Sequence, residues 1–337
     1  MTAQYAANTR LAPTANWRSA GPARRGDPQP WTLEPVAGLV DAYERQHQPV
    51  RVAEPQDRLA EDLRAQGVSV AAYDLKLGRA AGEALREHAA AHGVRLADTH
   101  ADAVRGAELV VSAVTASQAV VVAQACAPAI GPGACFLDLN SASPAAKLGA
   151  ASAIDSAGGR YVEGAVMTSV PPYRSRVPLL LGGAHAAALA PALVALGFAA
   201  CRVGSARLGV VSATKMCRSV MVKGLEAMVI ESFTAARHYG VEDAVIASLD
   251  ETFPGMDWER QAAYFFQRVI EHGRRRSEEV REVAVTVREA GLEPWSASGT
   301  AERQAWMAEL ADAGVFGARG TPGHARSADW RVEADRI

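Results

Sequence analysis

A lysine at position 215 lies inside an otherwise apolar helical stretch, VVSATKMCRSVMVKG. Burial disfavours the charged form of an amine, which lowers its pKa and suits it to donating and accepting protons near neutral pH. Lys223 follows two helical turns later on roughly the same face. The same pattern is typical of lysines that extend along a helix surface to water. Spacing alone therefore does not choose between the two lysines as the acid/base group.

Small polar residues end one apolar strand, in ELVVSAVTASQ. In an open α/β sheet, ligands bind beyond the carboxyl ends of the strands. We therefore expect Ser112, Val114 and Thr115 to lie beside a cofactor. The alternative is that Thr115 or Ser117 caps the following helix, and both roles are compatible.

A second strand breaks into polar residues in FLDLNSASP, where Pro144 can open the next helix. Hydroxyls and free backbone N–H groups at a helix start suit a substrate carboxylate. Ser141 and Ser143 are the candidates, and capping of the helix is the alternative for both.

Asp74 closes the predicted strand VSVAAYD. A carboxylate at the end of the second strand of a dinucleotide-binding fold accepts hydrogen bonds from the ribose hydroxyls, which favours NAD over a 2′-phosphorylated cofactor. The alternative is an ordinary turn residue.

The pattern of elements predicts an α/β Rossmann-like domain followed by an all-α domain. Apolar strands alternate with Ala-rich helices up to about residue 205, which implies a mostly parallel sheet covered on both faces. Helical periodicity then dominates, and the first long helix ends at Gly240. We place an atypical extension at 1–48, the Rossmann-like domain at 49–205, the all-α domain at 206–317 and a loose polar tail at 318–337. The predicted strands are 68–74, 108–114, 135–140, 159–167, 177–183 and 198–204, and a short helix is predicted at 39–46.

Composition excludes several classes of function. A formal net charge of −2 argues against binding to nucleic acid or an anionic membrane. The basic run HGRRR is followed by SEEVRE, which indicates mixed charge on a solvated helix face. The 4 cysteines lie apart without a CxxC pair, which predicts neither a metal site nor a disulfide framework. We expect a cytoplasmic protein, because the N-terminus has no signal-peptide apolar region.

Six segments in a fixed order resemble the β-hydroxyacid dehydrogenase superfamily, the relatives of 6-phosphogluconate and 3-hydroxyisobutyrate dehydrogenases. Within it the chain is most similar to the branch with a DUF1932 C-terminal domain. The resemblance implies a Rossmann domain, a helical C-terminal domain joined by a long helix, and a homodimer through helical surfaces. The segments are LAEDLRAQGVSVAAYD, ELVVSAVTAS, FLDLNSASP, YVEGAVMTSVPPY, ATKMCRSVMVKGLEA and HGRRRSEEVRE.

The resemblance also implies residue roles. Lys215 matches the family's catalytic lysine, which selects it over Lys223. Asn140 and Ser141 match the substrate-binding pair at the strand end. Two family glycines are replaced by Thr168 and Ser169, and the asparagine one turn after the lysine is Ser219, whose hydroxyl would still lie near the amine. These departures concern the substrate more than the reaction class.

The glycine-rich phosphate loop is lost. The pattern GxGxxG places its glycines at Arg51, Ala53 and Gln56, although glycine is needed there for the turn, the approach of the pyrophosphate and helix packing. Pro55 also removes an N–H donor.

Three functions follow from these observations. The first is an NAD(P)-dependent oxidoreductase acting on a small β-hydroxy acid, with Lys215 as general acid/base. The second is a non-catalytic binding or scaffold protein, favoured by the missing glycines. The third is an aldolase-like lyase with Lys215 as a Schiff-base nucleophile. A misassigned start within residues 1–58 would also explain the missing loop.

Overall fold

Strands and helices alternate up to residue 205 in the computed structural model, and helices alone follow. The structure describes residues 55–78, 82–167, 173–198, 201–319, 321, 324 and 327–337, with side chains from residue 59 onward. The predicted fold class, a Rossmann-like region followed by an all-α region, is confirmed, whereas the exact domain boundaries stay predictions. The helix predicted at 39–46 lies outside the described residues.

The described strands are β1 Ala71–Ala72, β2 Arg95–Leu96, β3 Leu109–Ser112, β4 Cys135–Asp138, β5 Arg160–Val166, β6 Leu179–Gly182 and β7 Cys201–Ser205. The described helices are α1 Pro55–Ala65, α2 Gly82–His92, α3 His100–Val104, α4 Ala119–Cys126, α5 Pro144–Ser156, α6 Ala186–Ala195, α7 Val210–Tyr239, α8 Glu242–Thr252, α9 Trp258–Glu289, α10 Trp295–Asp312 and α11 Trp330–Ala334.

The sheet is mostly parallel, as predicted. Within the described residues, β3 to β7 form one sheet in chain order, and β1 pairs with β2 in parallel. The pairs β3–β4, β4–β5 and β6–β7 are parallel, whereas β5–β6 is antiparallel. Strand β2 was not predicted, because a two-residue strand leaves no apolar alternation to detect.

Neighbouring residues of β4 and β5 point into two separate cores, because side chains alternate across a strand. Phe136 pairs with Tyr161, and both pack against the buried faces of α4 and α5. Leu137 pairs with Val162, and both belong to the core formed with α1 and α6. Helices therefore cover both faces of the central strands, which fixes where their carboxyl ends open.

Helix α7 runs from the sheet into the helical region. It begins after Gly209 and ends at Gly240, both with positive φ, and the Gly240 N–H donates to the carbonyls of Ala236 and Arg237. Gly240 is thus the C-cap that the sequence predicted.

Helix α9 is one continuous helix. The sequence pattern predicts two helices here, WERQAAYFFQRVIEHG and SEEVREVAVTVREAG, and their separation at Gly273 is wrong. A Cβ at Gly273 would lie 2.6 Å from the Gln304 carbonyl oxygen of α10. Glycine is required here for the close approach of two helices and does not end α9.

The prediction of a loose tail over 318–337 is wrong for its last residues. Helix α11 follows Asp329, and Trp330 is 0% exposed. Its ring packs 5.0 Å from that of Phe233, and its Nε1 donates to Glu259 Oε2 at 2.8 Å. One aromatic anchor therefore attaches a polar segment to the helical core.

Among the described residues, none of the helices combines the length and the apolar character that crossing a bilayer requires.

Candidate active site

Lys215 contacts Ser141, one of the predicted substrate-binding pair in the strand-end motif FLDLNSASP. It lies in the second turn of α7, partly buried, and its Nζ donates to Ser141 Oγ at 2.6 Å. Ser141 follows β4, so the long helix brings its lysine to the carboxyl end of the sheet. Two residues predicted independently from separate motifs therefore meet.

The pKa of Lys215 is lowered to about 8, chiefly because burial disfavours its charged form. The Glu279 carboxylate opposes this effect, whereas the neighbouring cations Lys223, Lys147 and Arg275 add to it. An amine with this pKa exchanges protons near neutral pH.

Lys223 has a different environment. Its Nζ donates to Glu279 Oε2 at 2.6 Å, and Arg275 binds the other oxygen of the same carboxylate. Burial raises the pKa of Glu279, but Lys223, Arg275 and Lys215 together lower it to about 2. Among the described residues, Lys215 has no such carboxylate partner. Lys223 is thus held in an ion pair, whereas Lys215 contacts a hydroxyl.

The Asn140 side chain joins the ends of β3 and β4. Its Oδ1 accepts from the Val114 N–H at 2.6 Å, and its Nδ2 donates to Ser112 Oγ at 2.9 Å. Asn140 and Ser112 are buried, while Val114 and Thr115 are exposed. Two of the predicted cofactor residues, Ser112 and Val114, therefore contact Asn140, and the Asn140 amide holds the two strand ends together.

Of the polar residues that could cap a helix, Ser143 does so through its side chain, whereas Thr115 does not. Ser143 Oγ accepts from the Ala146 N–H at 3.3 Å, with Pro144 opening α5, so Ser143 is the N-cap. Thr115 occupies an N-cap position without a side-chain cap hydrogen bond. Ser117 lies 3.4 Å from the Thr115 hydroxyl.

The start of α5 does not offer free N–H groups to a substrate, contrary to the expectation. The Ser143 N–H donates to Glu282 Oε2 at 3.0 Å, and the Ala145 N–H donates to Glu289 Oε2 at 3.2 Å. Carboxylates from α9 therefore occupy this positive helix end, where anions are stabilised.

Asp74 makes a local turn contact. Its Oδ1 accepts from the Lys76 N–H at 2.7 Å, which leaves the second oxygen without a hydrogen bond among the described residues. Ser219 is buried one turn after Lys215. Thr168, Ser169, Arg51 and Ala53 lie outside the described residues.

Glu163 binds the N-terminus of the helix that carries Lys215, and the sequence analysis did not identify it. The side chain is fully buried on β5, and its carboxylate accepts from the N–H groups of Gly209, Val211 and Ser212 at 2.9 to 3.3 Å. It caps α7 just before Lys215. The sequence feature that could have identified Glu163 is that it is the single carboxylate inside the apolar strand YVEGAVM.

Asp138 is a second missed residue, at the end of β4. Its carboxylate accepts from Lys147 Nζ at 2.7 Å, Tyr161 OH at 2.6 Å and the Asn140 N–H at 2.8 Å. Asp138 and Lys147 are almost fully buried. These three hydrogen bonds compensate the cost of burying the two charges. The bond to the Asn140 N–H also fixes the backbone at the end of β4.

The segment HGRRRSEEVRE is only partly a solvated face. Arg274 and Arg275 are exposed, but Arg276 is buried and paired with Glu226. Burial lowers the pKa of His272 to about 3. The expectation of a wholly solvated face is wrong, because the helix turns Arg276 and Glu279 toward α7.

Two family models match the chain. The NAD binding domain of 6-phosphogluconate dehydrogenase matches residues 57–203, and the domain of unknown function DUF1932 matches residues 236–307.

Solved structures and a curated sequence are also similar. A conserved hypothetical protein from Sinorhizobium meliloti 1021 is 37% identical, with a TM-score of 0.65 over 85% of this chain and 94% of that chain. The Mycobacterium tuberculosis 3-hydroxyisobutyrate dehydrogenase is 17% identical, with a TM-score of 0.61 over 83% of this chain and 94% of that one, and shows the shared fold. An uncharacterised 28.5 kDa protein of Methanothermus fervidus is 28% identical over 60% of this chain and 76% of its own length.

A further solved structure, of a conserved protein of unknown function, is described as similar to 3-hydroxyacid dehydrogenases. It is 27% identical, with a TM-score of 0.59 over 76% of this chain and 95% of that chain. The solved structures share the fold of this chain, in which the match to the NAD binding domain precedes the match to DUF1932. The chain therefore belongs to the β-hydroxyacid dehydrogenase superfamily of NAD(P)-binding oxidoreductases, in the branch that carries a DUF1932 domain.

Proposed function

We propose that the chain is an NAD(P)-dependent oxidoreductase that acts on a small β-hydroxy acid, with Lys215 as the general acid/base. The observation that carries the proposal is the 2.6 Å contact between Lys215 Nζ and Ser141 Oγ at the carboxyl end of β4. It brings a proton-exchanging amine to the edge of the sheet where ligands bind in this fold.

Lys215 would transfer the proton, and the neighbouring polar residues would orient the substrate. Lys215 accepts the proton of the substrate hydroxyl, or returns it in the reverse reaction, because its pKa of about 8 keeps both protonation states populated near neutral pH. Ser141 and Ser219 orient the hydroxyl and carboxylate, together with Thr168 and Ser169. Asn140 acts through Ser112 and Val114 as a positioning residue.

The strand ends are suited to a nicotinamide cofactor. Val114 is 41% exposed at the end of β3, so a flat ring could cover its apolar surface beside Thr115 and Ser112. A bound nicotinamide would exchange a hydride with the carbinol carbon of the substrate. Asp74 would accept hydrogen bonds from the ribose through its second oxygen, which favours NAD over NADP.

A non-catalytic binding or scaffold protein is the second candidate. The observation in its favour is the replacement of the three loop glycines by Arg51, Ala53 and Gln56. A chain of this kind would retain the buried networks around Asp138 and Glu163, which build the fold, without turning over a substrate.

Replacing the amine tests the leading function. Lys215→Met removes the proton-exchanging group and keeps the length of the side chain. We expect kcat to fall by roughly 10²–10⁴-fold, the usual contribution of a positioned acid/base group. Formation of NADH and NADPH by the purified chain, with a panel of short β-hydroxy acids, is the measurement.

Arg218→Met is the matched control, because Arg218 is an exposed cation on the same helix. It should retain the wild-type rate. Equal rates for the wild-type chain and Lys215→Met, or no turnover of any acid by the wild-type chain, would refute the proposal.

A further inference from the structure

Two histidines and a glutamate converge on the side of the Rossmann-like region formed by α1 and α2. His88 and His92 are four residues apart in the last turns of α2, so they share one face of the helix. Their ring centroids are 4.5 Å apart. Glu61 faces them from α1, and one ligand atom from each of the three residues lies within 4.8 Å of the other two.

Arg64 of α1 joins the two helices through a contact with the backbone at the end of α2, which does not involve the three side chains. The Arg64 guanidinium of α1 donates through NH1 to the Val68 carbonyl at 2.8 Å and through Nε to the His92 carbonyl at 3.4 Å. Leu63 is buried beneath them in the core shared with α6. The three donor groups are therefore positioned in advance, as a binding site requires.

The charge around Glu61 leaves an oxygen for a ligand. Its Oε1 lies 2.9 Å from Arg174 NH2, but the same guanidinium also contacts Asp62 Oδ1 at 2.6 Å. Arg174 therefore keeps a carboxylate partner if Glu61 turns toward the histidines. The ion pair with Arg174 is made through Oε1 of Glu61.

We propose that Glu61, His88 and His92 bind one divalent first-row transition-metal ion of the Zn²⁺ class. Two imidazoles and one carboxylate suit Zn²⁺, Co²⁺ or Ni²⁺, whereas Ca²⁺ and Mg²⁺ prefer oxygen ligands. All three residues are only partly buried, so water can complete the coordination. No step of the dehydrogenase proposal depends on this ion.

Such an ion would cross-link α1 to α2. The adjoining strands β1 and β2 have two residues each, so they contribute few hydrogen bonds between these segments. Metal binding to the folded state stabilises it, and the gain in stability grows with the logarithm of the free metal concentration above the dissociation constant. The expected consequence is a higher melting temperature in the presence of the metal, without a requirement for cofactor or substrate.

Metal titration of the untagged, chelator-treated full chain tests the site. We expect Zn²⁺ to bind with one ion per chain by calorimetry, and Co²⁺ to give visible absorption bands that Zn²⁺ abolishes. The double variant His88→Asn/His92→Asn should weaken binding by at least about 100-fold, since even the loss of an outer-shell partner costs 10–100-fold. Absence of saturable binding by the wild-type chain overturns the proposal.

Glu61→Gln separates the three-residue site from a simple histidine pair. It keeps the shape of the side chain, and affinity should fall at least about tenfold. His238→Asn, at an exposed histidine near the end of α7, is the control and should bind Zn²⁺ like the wild-type chain. Unchanged affinity in either Glu61→Gln or the double variant contradicts the assignment, and circular dichroism confirms that each variant is folded.

Discussion

The two lysines that α7 directs toward its neighbours, Lys215 and Lys223, differ in whether a carboxylate contacts the amine. Glu279 pairs with Lys223 and Arg275, while Lys215 contacts only the Ser141 hydroxyl among the hydrogen bonds of the described residues. A lysine without a carboxylate partner in a partly buried position loses its proton more easily than a paired one. The proposed division into an acid/base lysine and a structural lysine follows from this difference.

The neighbours of Lys215 should move the pH profile in opposite directions. Wild-type oxidation should gain rate as pH rises through about 8, where Lys215 becomes a neutral base. Glu279→Gln removes the charge that raises the pKa of Lys215, so the profile should shift to lower pH. Lys223→Met removes a cation that lowers this pKa, so the profile should shift to higher pH. Rate profiles for both variants are the measurement.

Glu279→Asp keeps the charge and should restore the profile close to that of the wild-type chain. Shifts of both Glu279→Gln and Lys223→Met in one direction would contradict the assignment of Lys215.

At the residue scale, sequence could identify Lys215, Asn140 and Ser141 because each belongs to a short local motif. It could not identify Glu279, because SEEVRE has the composition of a solvated helix face and its partner lies on another helix. It also could not assign the cap to Ser143 and the lysine contact to Ser141, since both serines precede α5. Only the three-dimensional arrangement separates them.

At the scale of elements, α7 is anchored to the sheet by Glu163 of β5. Three backbone N–H groups at the helix start converge on this buried carboxylate. The positive end of the helix favours an anion there. The contact therefore fixes both the start of α7 and the height of Lys215 above the sheet.

Glu163→Gln should destabilise the chain. The amide replaces one acceptor oxygen by a donor that faces backbone N–H groups, and the charge that complements the helix end is lost. We expect the free energy of unfolding to fall by about 1.5–3 kcal/mol, the usual contribution of hydrogen bonds to a charged group. Urea denaturation is the measurement, with Glu108→Gln, at an exposed glutamate, as the control. Equal unfolding free energies for Glu163→Gln and the wild-type chain would disprove the anchoring role.

The hydrophobic periodicity predicted most of the helices and strands. It did not show whether a glycine ends a helix or lies inside one. Gly240 and Gly273 both follow long apolar helical patterns. Gly240 has a positive φ and ends a helix, whereas Gly273 lies inside α9 where the backbone of α10 approaches closely. A single sequence does not distinguish a stop from a close approach, because both need the absence of Cβ.

At the scale of the whole molecule, α7 presents an apolar surface to solvent. Met221 is 71% exposed, Met228 61% and Tyr239 77%, with Val222 between them. Exposed apolar surface of this kind is typical of interaction sites. It supports the predicted homodimer through the helical region, with α7 at the interface.

Two charges on this surface should separate the protomers. Met221→Glu/Met228→Glu would place carboxylates in the interface, and burying them without partners is unfavourable. We expect the wild-type chain to elute as a dimer and the double variant as a monomer in size-exclusion chromatography with light scattering. Val194→Glu, at an exposed apolar residue of α6, should remain dimeric. A wild-type monomer at micromolar concentration would contradict the dimer.

The order of strands and helices was enough to predict the overall fold. The attachment of the C-terminal residues was not predictable, because composition averages over a segment while one buried Trp330 decides its position. The missing glycines, by contrast, were visible only in the sequence, since Arg51 and Ala53 lie outside the described residues.

Cofactor binding is the central claim, because the proposed chemistry of Lys215 depends on it. The most direct measurement is a fluorescence titration of the full chain with NADH and NADPH up to about 1 mM, the upper end of ordinary Michaelis constants. We predict saturable binding by the wild-type chain and equally by Lys215→Met, with NADH preferred. No saturable signal with either cofactor would contradict the oxidoreductase and leave the non-catalytic binding protein as the function of this fold.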